Sequence, residues 1–228
     1  GESAIAIDPD RRVVATDKGE VGYDALALTL GASARRLPAA MGGELPGVHV
    51  IRNLADVDAM VPQMQGGRRL IVIGGGYIGL EAAAVARKLD LSVTVIEAAP
   101  RILGRVAAAE TADMIRALHL SHGVEVLEGT GISRITGTDH ATGVALNDGR
   151  ELPADLIVTG IGVLPETALA QTAGLALDDG IATDVMGRTS DPAIWAAGDC
   201  ASFPWQGGRL RLESVGNAID MAEAVADR

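Results

Sequence analysis

Leu70-Ile71-Val72-Ile73 runs directly into Gly74-Gly75-Gly76-Tyr77-Ile78-Gly79. The apolar run reads as a buried strand. Residues 78–89, with Ile78, Ala82, Val85, Ala86 and Leu89 on one face, read as a helix. Strand, Gly-x-Gly-x-x-Gly turn and helix in that order make the first half of a βαβ unit, so the chain is expected to build a parallel sheet covered by helices. Gly74 permits the tight turn, Gly76 lets a pyrophosphate approach the backbone, and Gly79 lets helix and strand pack closely. The helix N-terminus adds a field that attracts phosphate. The second strand, 93–97, ends in Glu97, where an acid accepts the hydroxyls of an adenosine ribose and repels a 2′-phosphate. This predicts a dinucleotide site that takes NADH over NADPH; the alternative for Glu97 is a solvated acid at a strand end. Arg101 and Arg105 are candidates to screen the pyrophosphate or cover the adenine, and alone each reads equally as a solvated charge.

Around this unit the pattern is legible at lower resolution. Residues 4–7 and 13–16 flank Asp8-Pro9-Asp10 as a hairpin, and 25–30 form a third apolar strand. Residues 31–47, rich in glycine and proline, read as a connector. A helix over 53–65 should kink or end at Pro62. A helix over 107–121 follows the second βαβ strand, and then 124–127, 132–136, 144–146 and 156–159 read as short strands, with a turn at Asn147-Asp148-Gly149. A last strand spans 195–197. A final helix, 214–227, carries Val215, Ile219, Ala222 and Ala226 on one face.

Composition narrows the partners. With 48% hydrophobic and 21% charged residues, the 228-residue chain has enough apolar content to bury a core. Its 29 glycines, nearly twice the ~7 per cent of ordinary chains, imply many tight turns. A net charge of −11 repels nucleic acid and anionic lipid, so neither is an expected partner. No apolar run approaches the ~20 residues of a membrane-spanning helix. Cys200 is the single cysteine, which leaves no internal disulfide and no Cys-x-x-Cys pair, and a reducing cytoplasm is expected. Neither a metal site nor a catalytic triad is visible.

The chain resembles the FAD-dependent NADH:ferredoxin reductases of bacterial oxygenase systems, the putidaredoxin reductase-like group of the pyridine nucleotide-disulfide oxidoreductase superfamily. The resemblance rests on Ile73-Gly74-Gly75-Gly76-Tyr77-Ile78-Gly79-Leu80-Glu81, Glu97-Ala98-Ala99-Pro100-Arg101, Leu152-Pro153-Ala154-Asp155 and Gly160-Ile161-Gly162-Val163. It continues through Thr189-Ser190-Asp191-Pro192, Ala197-Gly198-Asp199-Cys200, Glu213-Ser214-Val215 and Asn217-Ala218. The resemblance implies that Gly198 and Asp199 belong to a FAD site, with the aspartate on the ribityl chain. It places the helix that follows Glu213-Ser214-Val215 with its N-terminus toward the flavin pyrimidine. It makes Glu81 the glutamate near the nicotinamide amide, with Gly160, Ile161 and Gly162 bordering the same ring. Read alone, Asp199 is a loop or capping acid and Ser214 an ordinary helix cap.

The expected architecture is therefore α/β. A Rossmann-like NADH domain over 46–164, with a parallel sheet and a β-meander, is joined to an incomplete FAD-binding domain made of 1–34 and 165–228. Family members carry an earlier glycine fingerprint for FAD and a C-terminal domain, neither of which is found here, so an internal fragment is expected. Its FAD-domain surface would be either disordered or covered by a second copy of the chain. The implied activity passes electrons from NADH through FAD to a ferredoxin-type protein. The alternatives are an NADH-binding fragment without turnover and a disulfide-type reductase of the same superfamily. An acidic ferredoxin would need a basic patch, such as one including Arg209 and Arg211, or the missing domain.

Overall fold

The computed structural model describes residues 1–227; Arg228, the last position of the expected 165–228 segment, lies outside the described residues. The chain divides into two compact units, one made of Gly1–Ser33 with the chain from Val163 onward, the other of Ala34–Gly162.

In the first unit, β1 (Ala4–Asp8) and β2 (Val13–Thr16) form the expected antiparallel hairpin. The third strand of that sheet is β3 (Gly19–Gly22), which sequence reading passed over. All four residues of β3 are exposed, so no apolar pattern marks it. The apolar strand read at 25–30 is β4 (Leu26–Leu28), which pairs outside the hairpin sheet with a buried partner and is followed by β5 (Ala32–Ala34).

The second unit runs β6 (Val48–His49), α1 (Leu54–Met60), β7 (Arg69–Ile73), α2 (Tyr77–Lys88), β8 (Ser92–Ile96), α3 (Ala109–Ser121) and β9 (Val124–Leu127). It continues with β10 (Ile132–Thr136), β11 (Gly143–Leu146), β12 (Glu151–Pro153) and β13 (Leu156–Thr159). Asn53 caps α1 with a reciprocal bond from Asp56, and the helix gives way to a tighter turn at Val61–Gln63, where Pro62 removes a donor. Strands β6, β13, β7, β8 and β9 lie in that order in one parallel sheet. Strand alternation sends Leu70 and Val72 into the layer with α2, while Ile71 and Ile73 point the other way, onto the antiparallel sheet β10-β11-β12. The connector read at 31–47 belongs to this unit from Ala34 onward, because Leu37 and Leu45 pack into that second layer.

Helix α2 buries a different stripe from the one its largest residues suggest. Gly79, Leu80, Ala82, Ala83 and Ala86 face the sheet, whereas Ile78, Val85 and Leu89 are 39%, 51% and 45% exposed. Apart from Leu80, the residues that face the sheet are small and let the helix approach it closely, while Ile78, Val85 and Leu89 are left outside.

The first unit resumes with β14 (Val163–Pro165), α4 (Ala168–Thr172), β15 (Ile181–Ala182) and β16 (Ile194–Ala196), then β17 (Ala201–Trp205), β18 (Gly208–Leu210) and α5 (Val215–Ala226). Strand β16 pairs in parallel with β4, and the core holds Ile7, Leu28, Ile181, Ile194, Ala196 and Cys200. Helix α5 buries none of its residues, and its apolar Val215 and Ile219 are exposed.

Candidate functional site

Beyond its carboxyl ends the five-stranded sheet reverses its order. β7 leads to β8 and β9 on one side, while β13 and β6 lie on the other, and ligands of open α/β sheets bind at such a point. Gly74 leaves β7 there with φ +107, its N–H donating to Ile96 O at 2.8 Å. A Cβ on Gly74 would lie 2.3 Å from Gly160 O, so only glycine fits between the two strand ends. A Cβ on Gly79 would meet Gly74 O at 2.1 Å, which fixes how closely α2 packs on β7. Gly76 is different. Nothing lies within 4 Å of where its Cβ would be, and as the residue before α2 it offers no side chain to cap the first helical N–H groups. Open space beside uncapped amides at a helix N-terminus fits a pyrophosphate.

Glu97 stands at the end of β8 with its carboxylate oriented. Oε2 accepts the Gly75 N–H and Oε1 the Ala99 N–H, each at 2.7 Å. Each oxygen keeps a lone pair for a ribose hydroxyl. Glu81 is exposed in α2, and Arg105 is exposed with Nη2 3.7 Å from the position of a Cβ on Gly162; neither has a hydrogen bond or ion pair among the described residues. Tyr77 is 60% exposed, and Gly160, Ile161 and Gly162 are half-buried beyond β13. Arg101 is placed otherwise: its Nη2 donates to Ala107 O at 2.9 Å and Gly104 O at 3.3 Å, so it braces its own loop. All thirteen residues from Gly74 to Gly162 expected at a nucleotide site lie in the second unit.

Sequence reasoning passed over the layer beneath the glycine turn. Ile102 is fully buried, its Cγ2 2.6 Å from where a Cβ on Gly75 would be, and the Leu103 N–H donates to Gly75 O at 2.9 Å. The Ile102 N–H in turn donates to Glu128 Oε1 at 2.8 Å, and Glu128 Oε2 pairs with Arg116 Nε at 2.8 Å. One signal was available: β9, like β8, is an apolar strand followed directly by a glutamate.

The residues expected at a flavin lie in the first unit. Gly198 and Asp199 open a single tight turn after β16, and a Cβ on Gly198 would touch Ala218 Cβ in the first turn of α5 at 3.5 Å. Ser214 Oγ accepts the Asn217 N–H and caps α5. Glu213 Oε1 accepts from Arg211 Nη1 at 2.7 Å, and Val215 is 78% exposed. The two arginines named for a basic patch are engaged within the unit. Arg211, 10% exposed, is paired with both Glu213 and Asp179, and Arg209 donates to Thr183 O and Ser202 O. Cys200 is buried, with Sγ 3.4 Å from Ala197 O, and burial pushes its thiol pKa up. Among the described residues no group of His, Cys, Asp and Glu could hold a metal, and no helix is long and apolar enough to cross a membrane.

The model of the pyridine nucleotide-disulphide oxidoreductase family matches residues 1–222. The chain belongs to that family. This bears out the resemblance drawn from the motifs. Rhodocoxin reductase of Rhodococcus erythropolis is 42% identical over 230 residues, which cover 99% of this chain and 54% of that protein. Among solved structures, the ferredoxin reductase of the CYP199A2 system from Rhodopseudomonas palustris is 39% identical with a TM-score of 0.93, covering 100% of this chain and 57% of its own. The reductase in a covalent putidaredoxin reductase–putidaredoxin complex is 39% identical with a TM-score of 0.91, covering 99% of this chain and 56% of its own. This family member thus spans about half the length of the relatives it matches.

Proposed function

We propose that Ala34–Gly162 binds NADH and that the first unit contributes to a FAD site, within an enzyme that passes electrons from NADH to a ferredoxin-type iron–sulfur protein. The observation that carries the reading is the open space at Gly76, beside uncapped α2 amides and the oriented Glu97 carboxylate. When bound, NADH would supply a hydride and FAD would supply the conversion of a two-electron donor into one-electron transfers.

The work of the polypeptide is binding and orientation. The amides at the start of α2 hold the pyrophosphate, Glu97 accepts the adenosine ribose hydroxyls, and Arg105 adds a cation beside Gly162. Glu81 orients the nicotinamide amide, with Tyr77, Ile78 and the Gly160-Ile161-Gly162 turn bordering the ring. Toward the flavin, Asp199 accepts a ribityl hydroxyl, and the N-terminal end of α5, entered through Glu213, Ser214 and Val215, favours the negative charge of a reduced ring. Arg101 acts indirectly, by keeping the 101–107 loop closed.

A disulfide-type reaction is not supported by residues of this chain, since Cys200 is buried and its pKa is raised rather than lowered as in reactive thiols. A cytoplasmic location goes with this reading. Since a phosphate placed against Glu97 should cost more than ~1.4 kcal/mol, NADH is expected to bind at least about tenfold more tightly than NADPH. Calorimetric titration of both nucleotides tests this, and equal affinities would refute the selection by Glu97.

A further inference from the structure

The loop between β8 and α3 passes under the glycine turn, and it is held from behind by one acidic side chain that lies outside the crevice. Glu128, 19% exposed at the end of β9, accepts the Ile102 N–H with one oxygen and pairs with Arg116 of α3 with the other, both at 2.8 Å. Ile102 fills the space that a side chain on Gly75 would need, and Leu103, with φ +53, returns an N–H to Gly75 O. Gly75 in turn donates its own N–H to Glu97. We infer that Glu128 is a positioning residue for the nucleotide site, acting through Ile102 and Leu103 on Gly75, and through Gly75 on the Glu97 carboxylate and the backbone that enters α2.

The inference rests on the reading of this crevice as a dinucleotide site. Its physical basis is that Gly75 is gripped on both sides. Its N–H fixes the acid that meets the ribose, and its C=O is held by a loop that Arg101 closes on itself through Gly104 O and Ala107 O and that the Glu128 bond to the Ile102 N–H ties to the end of β9. Remove the carboxylate, and the Ile102 N–H loses its acceptor while Arg116 loses its counter-charge. The loop then relaxes, and the turn above it loses the fixed geometry that recognition by backbone amides requires.

The test compares ADP-ribose binding by calorimetry with the thermal midpoint in three variants. Glu128→Ala is expected to weaken ADP-ribose about tenfold. Glu128→Gln, which keeps an oxygen for the Ile102 N–H, is expected to bind within about twofold of the unaltered chain. Asp155→Ala breaks an ion pair to Arg69 at the other end of β7, ~16 Å away at ~3.3 Å per residue, and is expected to lower the midpoint without changing affinity. Glu128→Ala binding as tightly as the unaltered chain would overturn the proposal, as would Asp155→Ala weakening binding as much for the same fall in midpoint. If Glu128→Ala does not fold, Glu128→Asp replaces it: the shorter acid withdraws from the Ile102 N–H, and unaltered affinity would again overturn the proposal. Failure of the unaltered chain to bind ADP-ribose would remove the nucleotide reading itself, and this proposal with it.

Discussion

Glu81 illustrates how one side chain can matter to reaction and not to binding. It stands exposed in α2 without a partner among the described residues, so its removal leaves no buried group unsatisfied and the helix unharmed. If it orients the nicotinamide amide, its loss misplaces only the reacting ring. In a full-length protein that carries this chain together with bound flavin, Glu81→Ala is expected to slow flavin reduction by NADH about tenfold or more while ADP-ribose affinity stays within about twofold. Stopped-flow absorbance gives the rate, and an unchanged rate would count against the role. At this scale the glycine turn and the strand-end Glu97 were legible from residue type and spacing, whereas Glu81 was singled out only by the family resemblance. Arg101 and Arg105, four residues apart, show the limit: the first bonds its own loop and the second has no partner among the described residues, and nothing in their spacing separates them.

At the scale of elements, the parallel sheet was legible from its apolar runs, and its pH response follows from one ion pair. Asp155, just before β13, accepts three bonds from Arg69, two of them from its guanidinium and one from its backbone N–H, which lower its pKa from 3.8 to about 2. A depressed carboxyl pKa contributes stability above the unfolded value, and that contribution is lost as pH falls from about 4 to about 2. Asp155→Asn is therefore expected to flatten the acid limb of the unfolding curve in that window. Because a third of the side chain is exposed, the cost at neutral pH should be less than about 1 kcal/mol. A denaturant midpoint series across pH checks both. Three of the strands that escaped sequence reasoning share a cause. β3, β15 and β18 are two to four residues long, too short for a period to show. In α2, side-chain size pointed to the wrong stripe, since close packing on the sheet selected glycine and alanine.

For the molecule as a whole, the two units differ in how much of a cofactor site each contains. The second unit holds the strand, glycine turn, helix and strand-end acid together. In the first, Asp199 and the capped start of α5 offer a few hydrogen bonds, about 1–3 kcal/mol each, and the helix buries none of its own residues. The chain purified without added flavin is expected to be colourless, and stoichiometric FAD in the denatured supernatant would contradict that expectation. In the proposed reading, Ala34–Gly162 recognises a dinucleotide through the backbone at Gly76. Calorimetric titration of NADH into the chain and into its Gly76→Ala variant measures that recognition. A methyl group there meets no protein atom within 4 Å, so the variant should fold with an unchanged thermal midpoint. It should nevertheless lose about tenfold or more in NADH affinity, because the methyl occupies the space of the pyrophosphate. Equal affinity in the two proteins, or no binding by the unaltered chain, would contradict the account.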